Sequence, residues 1–411
     1  MNERLLFLTP QLPYPPHQGG ALRNFGLIKG LAQRGYAITL LSFVEEGQPP
    51  YVETPLADLC TSVTTVPAPL RTLRQRLLDL LVGHADMARR LWSPSLLDAL
   101  HGLLNREHFR AIHFGGLEMA TYLRPARSVL GDGTSDTLLI YDATNAEYAL
   151  QARIARQDVR LVRRWHQALY SIVQAQRLKR FEAAVCRAAD YIFACSQTDA
   201  QLLGKLSPST PVAIIPNAID VAAYDATKWP PADIPHPALV FTGKMDFRPN
   251  VDAVLWFAES ILPRIRRSVP DAHFVIVGQK PHLRLDALRG RPGILLTGAV
   301  PHIQPYLAAA DVYVAPLRMG SGTRLKLLEA MAMGRAVVST RLGAEGIDVR
   351  EGEHLLLADS PAAFAQAVLA LLYDEDRRKD MGTNAARLVR QCYDWSAIIP
   401  HVEAAYAAQG G

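Results

Sequence analysis

The feature that most constrains this chain is a repeated alternation of short apolar runs with longer helical patterns. The first apolar run, residues 4–9, is followed by a helical pattern over 20–35 and a second apolar run over 37–43. Further β-rich runs follow at 110–114, 137–142, 190–195 and 212–215. Continuous apolar strands separated by helices are typical of a parallel sheet covered on both faces. The pattern therefore predicts a doubly wound α/β domain.

The same alternation begins again after a proline-rich segment, residues 220–237, which lacks apolar periodicity. The second series of strands is predicted at 238–242, 272–277, 293–297, 312–315 and 336–339. A chain of 411 residues exceeds what one hydrophobic core usually organises, so we expect two domains. The predicted organisation is an N-terminal domain over 1–219, a linker over 220–237, a second domain over 238–390, and a terminal segment over 391–411 whose helix packs back on the first domain.

Hydropathy and cysteine spacing argue against a membrane-spanning helix and against a metal site built from cysteines. No apolar run reaches the roughly 18 to 20 residues that a membrane-spanning helix requires. The N-terminal run is also too short for a signal peptide. The four cysteines lack metal-binding spacing and are predicted to be core residues. We therefore expect a cytoplasmic protein, either soluble or peripheral on the inner face of the membrane.

Positive charge is concentrated in one segment with a helical pattern. The chain carries a net charge of +5, and residues 149–180 hold eight Arg or Lys against one acid, Asp158. A basic face of this kind suits an anionic membrane surface or a phosphorylated substrate. Nucleic acid is not expected as a partner, because the segment shows no recognised motif beyond its charge.

The most informative segment is residues 312–340, which reads as strand, glycine-containing loop, helix and strand. Gly320, Ser321 and Gly322 would let a ligand approach the backbone closely, and the helix that follows presents unpaired N–H groups. A diphosphate suits such a site, and Arg324 and Lys326 add positive charge beside it. The alternative is an ordinary tight turn with solvated basic residues, because short glycine motifs also match by chance.

This segment resembles the donor-site motif of retaining glycosyltransferases of family four, which have the GT-B fold. That family carries Glu, seven residues and a second Glu, then Ala-Met and Gly-x-Pro-Val-Val. Here Glu329 with the following Ala-Met, and GRAVV at 334–338, match the second half of the motif, whereas Ser321 occupies the position of the first Glu. The form GSGTRLKLLEAMAMG is similar to the branch associated with exopolysaccharide sugar transfer. The resemblance implies that Glu329 holds the nucleotide ribose.

Two further segments extend the resemblance along the chain. IIPNAID, residues 214–220, is similar to the family's strand and turn ending in Pro-Asn-Gly-x-Asp. FTGKMDFRPN, residues 241–250, resembles the first strand and loop of the donor domain, and Lys244 occupies its Arg position. The resemblance implies that Lys244 faces the diphosphate and that Lys326 replaces the family's second cation. The alternative for Lys244 is a surface lysine in a turn.

In the N-terminal domain, candidate site residues follow the predicted strands. Gly19 and Gly20 lie between the first strand and helix, where ligands enter open α/β sheets. By resemblance this loop approaches the donor phosphate and the acceptor, and His113 lies by the reacting sugar. The alternative for His113 is a histidine satisfied within the fold. The remaining candidates are expected on the acceptor side: Glu118, Asp142 and Asn145.

The resemblance implies an α/β protein of the GT-B class, with two Rossmann-like domains facing across a cleft. It further implies transfer of a sugar, with retention, from a nucleotide diphosphate sugar to a glycan or polyprenyl-linked acceptor. No metal or other cofactor is expected, since the acidic run 374–376 is better explained as helix N-terminal charge. Two alternatives remain: a nucleotide-sugar epimerase, and a non-catalytic protein that binds nucleotide sugars or serves in assembly.

Overall fold

The computed structural model describes residues 3–16, 19–45, 47–72, 85–131, 136–159, 165–320 and 322–408, without the side chains of 154–159 and 165–172. The chain divides into two units. The first comprises Met1–Asn217 together with Ile398–Gly411, and the second is Ala218–Ala397. Each unit is built around one parallel β-sheet.

The described part of the first unit contains a seven-stranded sheet with the order β3-β2-β1-β4-β5-β6-β7, and every recorded strand pair in it is parallel. The strands are β1 Arg4–Thr9, β2 Ala37–Val44, β3 Ser62–Pro67, β4 Ala111–Gly115, β5 Leu138–Ala143, β6 Tyr191–Ala194 and β7 Val212–Ile214. The helices are α1 Gly19–Gln33, α2 Leu56–Leu59, α3 Asp86–Arg90, α4 Pro94–Leu104, α5 Leu123–Leu130, α6 Glu147–Val159, α7 Trp165–Ala188 and α8 Gln197–Gly204.

The described part of the second unit contains a six-stranded sheet with the order β10-β9-β8-β11-β12-β13, again with parallel pairs. The strands are β8 Ala238–Thr242, β9 His273–Val277, β10 Ile294–Gly298, β11 Val312–Ala315, β12 Val337–Ser339 and β13 Leu356–Leu357. The helices are α9 Arg248–Trp256, α10 Leu262–Ser268, α11 Gln304–Ala308, α12 Leu325–Ala332, α13 Pro361–Tyr373 and α14 Glu375–Cys392; α15, Trp395–Ala407, follows them and runs into the first unit.

Four of the central strands are buried along their whole length. Every residue of β4, β5, β8 and β11 is buried. Helices cover both faces of a parallel sheet, so its strands read as continuous apolar runs instead of alternating ones. The prediction of two doubly wound α/β units is confirmed. Among the helices of the described residues, none is long and apolar enough to cross a membrane.

The predicted linker differs from what the structure shows. Residues 220–237 belong to the second unit, and Val221 and Ile234 are buried in its core. The proline-rich stretch is irregular, but its apolar side chains still have a core to pack against. Residues 391–397 also lie in the second unit, whereas Ile398–Gly411 belong to the first, in which Ile399 packs against Gly30.

In the second unit, an acidic residue and a hydroxyl residue cap the starts of two helices. The Asp374 carboxylate accepts from the backbone N–H of Arg377 and so caps α14. Ser360 caps α13 in the same way, through the N–H of Ala363. A side-chain acceptor at this position satisfies one of the helix's unpaired N–H groups. The acidic run 374–376 therefore serves as helix N-terminal charge in this structure, as predicted.

A buried ion pair joins distant parts of the first unit. Arg23 on α1 and Asp142 at the end of β5 are each about 1% exposed. The Arg23 guanidinium donates to Asp142 Oδ1 from Nε at 2.9 Å and from Nη2 at 2.6 Å. Its Nη1 donates to the carbonyl of Ile215 at 2.8 Å and to Asn217 Oδ1 at 3.2 Å. The prediction that Asp142 faces the acceptor is not supported, because its carboxylate is enclosed and bound to Arg23.

Replacing Arg23 by Leu should strongly destabilise the first unit. The change leaves the Asp142 carboxylate buried without its partner, and such a loss costs about 3–5 kcal/mol. Urea unfolding followed by circular dichroism measures it. Arg4→Gln is the matched control: it breaks the exposed pair with Glu107 and should change stability by about 1 kcal/mol or less. Equal small effects of both variants would contradict the structural role of the buried pair.

Candidate functional site

In both sheets the direction of chain progression reverses between two central strands. In the first unit the reversal lies between β1 and β4, and in the second between β8 and β11. Loops that leave the carboxyl ends of such strands diverge to opposite faces and open a crevice, where ligands of doubly wound folds bind. The loops after β8 and β11 carry Lys244, the glycine pair and α12. The second unit thus carries Lys244, Lys326, Glu329 and the two glycines at one edge of its sheet.

Lys326 lies in the first turn of α12 and is half-buried. Its Nζ donates to the carbonyl of Thr242 at 2.7 Å and to Asn250 Oδ1 at 2.8 Å, and it lies 4.2 Å from the centre of the Phe241 ring. Burial lowers the pKa of the Lys326 ammonium to about 7, although Glu329 acts in the opposite direction. Its partners are neutral, so the structure supplies little compensation for the positive charge.

Glu329 lies one helical turn beyond Lys326. Its Oε1 accepts a hydrogen bond of 3.0 Å from the hydroxyl of Tyr224, which belongs to the segment predicted as a linker. Burial raises the pKa of the Glu329 carboxyl, and the Tyr224 hydrogen bond and Lys326 oppose that shift. One carboxylate oxygen is thus held in place by Tyr224. The sequence did not indicate Tyr224, because 105 residues separate it from Glu329.

The glycine pair ahead of α12 adopts backbone conformations that favour glycine. Gly320 and Gly322 adopt φ angles of +111° and +76°, which residues with a Cβ rarely take. The guanidinium of Arg324 lies against Gly320, where a Cβ would come within 3.1 Å of Nη2. Ser321, predicted as a donor-binding residue, lies outside the described residues. Glycine is therefore required here for conformation and for the close approach of Arg324.

The two other basic residues near this edge make ion pairs with neighbouring acids. Lys244 is exposed, and its Nζ lies 3.7 Å from Asp246. Arg318 donates to both oxygens of Asp252, at 3.0 and 2.7 Å, and stacks over Trp256 at 5.0 Å. Lys244 thus remains at the surface of the loop after β8. Arg318 is engaged by α9 instead of extending the donor site.

Of the predicted site residues of the first unit, two glycines lie beside open space, whereas the histidine is buried. Gly19 and Gly20 begin α1, with open space beside both. His113 is 1% exposed, stacks on Phe7 at 4.4 Å and shares a hydrogen bond with the Tyr406 hydroxyl. Burial lowers its pKa to about 3. The prediction that His113 lies by the reacting sugar is not supported, because its ring is enclosed within the core.

Glu118 and Asn145 follow the adjacent strands β4 and β5 at their carboxyl ends. Glu118 accepts from Arg90 at 3.4 Å, and the Asn145 amide donates to Glu147 Oε1 at 3.2 Å. Burial raises the pKa of Glu147 to about 7, and nearby Glu118 contributes to the shift. Glu147 was not among the predicted site residues. Its place five residues after the predicted strand 137–142 was the only signal for it in the sequence.

The position of Glu147 is set by a second buried carboxylate. Glu182 on α7 is fully buried and accepts from the backbone N–H groups of Glu147 and Tyr148, at 3.1 and 2.8 Å. It also accepts from the Tyr141 hydroxyl at 3.0 Å. Glu182 therefore caps α6 and fixes the turn that carries Asn145 and Glu147. Within the described residues, no group of three or more His, Cys, Asp or Glu is arranged to hold a metal ion.

Comparison with protein families identifies the class of protein. The family model described as "Glycosyltransferase Family 4" matches residues 18–223, half of the chain. A second model, "Glycosyl transferases group 1", matches residues 236–374. The chain therefore belongs to the group 1 glycosyltransferases of family four, and the resemblance stated from its sequence is confirmed at that level.

Similar proteins have been named in several bacteria. The phosphatidyl-myo-inositol mannosyltransferase of Mycobacterium tuberculosis is 33% identical over 211 residues, covering 48% of this chain and 54% of that protein. An uncharacterised protein in the cps region of Klebsiella pneumoniae is 25% identical over 183 residues, covering 43% and 47% of the two chains. The chain spans about half the length of the curated relatives that it matches.

Two solved structures show the same fold over nearly the whole chain. Sucrose-phosphate synthase from Thermosynechococcus elongatus superposes with a TM-score of 0.71 at 16% identity, covering 99% of each chain. Anabaena HepE in complex with UDP and glucose gives a TM-score of 0.64 at 14% identity, covering 99% of this chain and 100% of that one. The fold is thus that of the GT-B glycosyltransferases, as predicted.

The raised pKa of Glu147 predicts a pH-dependent loss of stability. A carboxyl whose pKa is higher in the folded state stabilises the fold below its unfolded pKa, and this contribution is lost as the pH rises through the folded value. The loss therefore falls between about pH 4.5 and 7. Glu147→Gln should remove it, so that the variant gains about 1–3 kcal/mol relative to the wild type at pH 8 compared with pH 5. Urea unfolding at both pH values measures this gain, and Glu53→Gln, on an exposed residue, should show none.

Proposed function

We propose that the protein transfers a sugar from a nucleotide diphosphate sugar to a glycan or lipid-linked acceptor. The observation that carries the proposal is the pairing of Lys326 and Glu329 on the first turns of α12, directly after a glycine loop at the switch point of the second sheet. Lys326 offers an ammonium to the diphosphate, and Glu329 offers carboxylate oxygen to the ribose hydroxyls. Membership of family four supports the same reaction.

During transfer, negative charge grows on the leaving diphosphate while the sugar becomes oxocarbenium-like. Fixed donors aimed at that charge stabilise the transition state more than the ground state. In this proposal Lys326 carries that role, with Arg324, Lys244 and the backbone N–H groups of Gly320 and Gly322 completing the donor site. Gly19 and Gly20 leave open space at the first unit's switch point. Glu118, Asn145 and Glu147 follow β4 and β5 at the same edge of the sheet, and in this proposal they bind acceptor hydroxyl groups.

Retention of the anomeric configuration, a place in exopolysaccharide synthesis and a lipid-linked acceptor are the finer parts of the proposal. The resemblance of the donor motif supports the first two. The third is supported by the names of the mannosyltransferase relatives and by exposed Lys179 and Arg180 on α7, which suit the anionic inner face of a membrane. The other basic residues of 149–180, apart from Arg153 and Arg177, lie where side chains are not described.

Binding and transfer should both persist without a divalent metal. A thermal-shift screen of UDP, GDP, ADP and dTDP, each with its nucleotide sugars and 5 mM EDTA as about a hundredfold excess over trace metal, identifies the donor, because ligands that bind the native state raise the melting temperature. Transfer to polyprenyl phosphate in anionic vesicles is then followed under the same conditions. If EDTA abolishes binding and transfer and magnesium restores them, the basic residues alone do not neutralise the diphosphate. Binding without any transfer would favour the non-catalytic alternative.

Glu329→Gln should weaken ground-state binding more than turnover. The carboxylate is expected to hold ribose hydroxyls in both the ground and transition states, so its loss should raise Kd for the nucleotide and its sugar alike, by about tenfold, with a smaller effect on kcat. Calorimetric titration and steady-state kinetics measure the two effects. Glu375→Gln, on an exposed residue of α14, is the matched control. If Glu329→Gln binds free nucleotide with the wild-type Kd, the proposal that this helix binds the ribose is wrong.

A further inference from the structure

Asn250 is a buried polar residue to which neither the sequence motif nor the proposed function assigns a role. It lies in the first turn of α9 and is 5% exposed. Both ends of its amide are used. Nδ2 donates to the carbonyl of Lys244 at 2.8 Å, and Oδ1 accepts from Lys326 Nζ at 2.8 Å. A single side chain therefore connects the loop after β8, α9 and α12.

The contacts of Asn250 converge on one glycine. A Cβ on Gly243 would lie 2.7 Å from Asn250 Nδ2 and 2.7 Å from Lys326 Nζ. Gly243 also has a φ angle of +155°, which disfavours any other residue. The side-chain nitrogens of Asn250 and Lys326 thus lie against Gly243, which has no side chain, at the carboxyl end of β8. An ammonium has three N–H groups, and Thr242 and Asn250 accept two of them, which leaves one for a ligand oxygen.

We propose that Asn250 is a positioning residue for the donor diphosphate: its amide holds the Lys326 ammonium and the Lys244 backbone over Gly243, so that one N–H of Lys326 points at the leaving phosphate. The inference rests on the proposed function, since it gives that phosphate an oriented donor. Asn250 acts through Lys326 and does not itself touch the sugar. A neutral amide fixes the ammonium without neutralising its charge.

The charge state of Lys326 gives this arrangement a measurable signature. With burial and only neutral acceptors around it, the pKa of Lys326 is about 7. The charged or titratable groups nearby are Arg324 and Glu329 on its own segment, Tyr224 through its bond to Glu329, Tyr313 through its bond to Thr242, and the exposed pair Lys244 and Asp246. At pH 8 the free lysine is mostly neutral. A diphosphate bound beside it favours the ammonium, so binding takes up a proton.

The first experiment tests the contact without any ligand. In protein labelled with [¹³C]lysine, the Lys326 side-chain resonance is the one that disappears in Lys326→Arg, and its titration is followed from pH 5 to 11. Asn250→Asp places a carboxylate where Oδ1 now accepts from Nζ, and it should raise the apparent pKa of Lys326 by at least about one unit. Asn384→Asp, the same change on α14 beside Arg387, should leave that titration unchanged. An unaltered Lys326 titration in Asn250→Asp would overturn the positioning role.

The second experiment tests the consequence for the ligand. UDP and GDP are titrated into the wild type at pH 8 by calorimetry, in buffers of different ionisation enthalpy. We expect uptake of about one proton per bound nucleotide. Asn250→Asp should reduce that uptake to about half or less, because at least about half of its lysine is already charged at pH 8. Asn250→Ala should weaken binding about tenfold, as the loss of one charge-assisted contact would, and Asn250→Gln should recover part of the affinity by restoring an amide.

The two experiments separate this inference from the function on which it rests. If the wild type binds neither UDP nor GDP, the proposed function fails, even where the lysine titration shows that Asn250 holds Lys326. If the wild type binds nucleotide, and Asn250→Ala and Asn250→Gln both keep its affinity and its proton uptake, the positioning role is wrong and the proposed function stands. Thermal melting of each variant verifies that the second unit remains folded.

Discussion

Burial of both faces of a parallel sheet is the constraint on which the rest of each unit depends. It forces the connections to run as helices over the two faces, and it places all carboxyl ends of the strands at one edge. Polar side chains at that edge are then enclosed by neighbouring loops and must find partners. The same constraint acts in both units. The groups that bind the buried cation, however, are charged in one unit and neutral in the other.

That difference in charge bears on which unit receives an anionic donor. In the first unit the buried cation near the switch point is Arg23, and Asp142 neutralises it at 2.6 Å. A guanidinium that is already paired and enclosed has little to offer a phosphate. In the second unit the corresponding cation is Lys326, and its closest partners are a backbone carbonyl and an amide. Its charge is therefore left for a ligand to stabilise, which favours the second unit as the diphosphate-binding one.

The sequence predicted the central strands well because most of their residues are apolar and follow one another without alternation. The runs at 238–242 and 312–315 coincide with β8 and β11. β3 was missed because it lies at the edge of the sheet, and its sequence, SVTTVP, is only partly buried. The segment 220–237 was taken for a linker because prolines break its periodicity. Whether such a stretch packs on a core depends on isolated contacts, such as those of Val221 and Ile234, that no local pattern reveals.

The sequence brings candidate residues together where they are close along the chain, and it does not show contacts between distant segments. Lys326 and Glu329 share one helix, so their spacing alone places them together. His113 and Asp142 were placed near the ends of their strands, but the sequence does not show which side chains there turn into the core. The sequence assigned no role to Asn250. Its partners lie 6 and 76 residues away, and only the fold brings them into contact.

The proximity of Lys326 and Glu329 couples the ionisation of the lysine to that of the carboxyl. Burial lowers the pKa of the lysine and raises that of the carboxyl, while their mutual attraction opposes both shifts. A diphosphate bound beside Lys326 favours its ammonium, which acts to lower the pKa of Glu329, whereas the ligand's own negative charge acts to raise it. The two side chains therefore titrate as a coupled pair, and a substitution at either one alters the ionisation of the other.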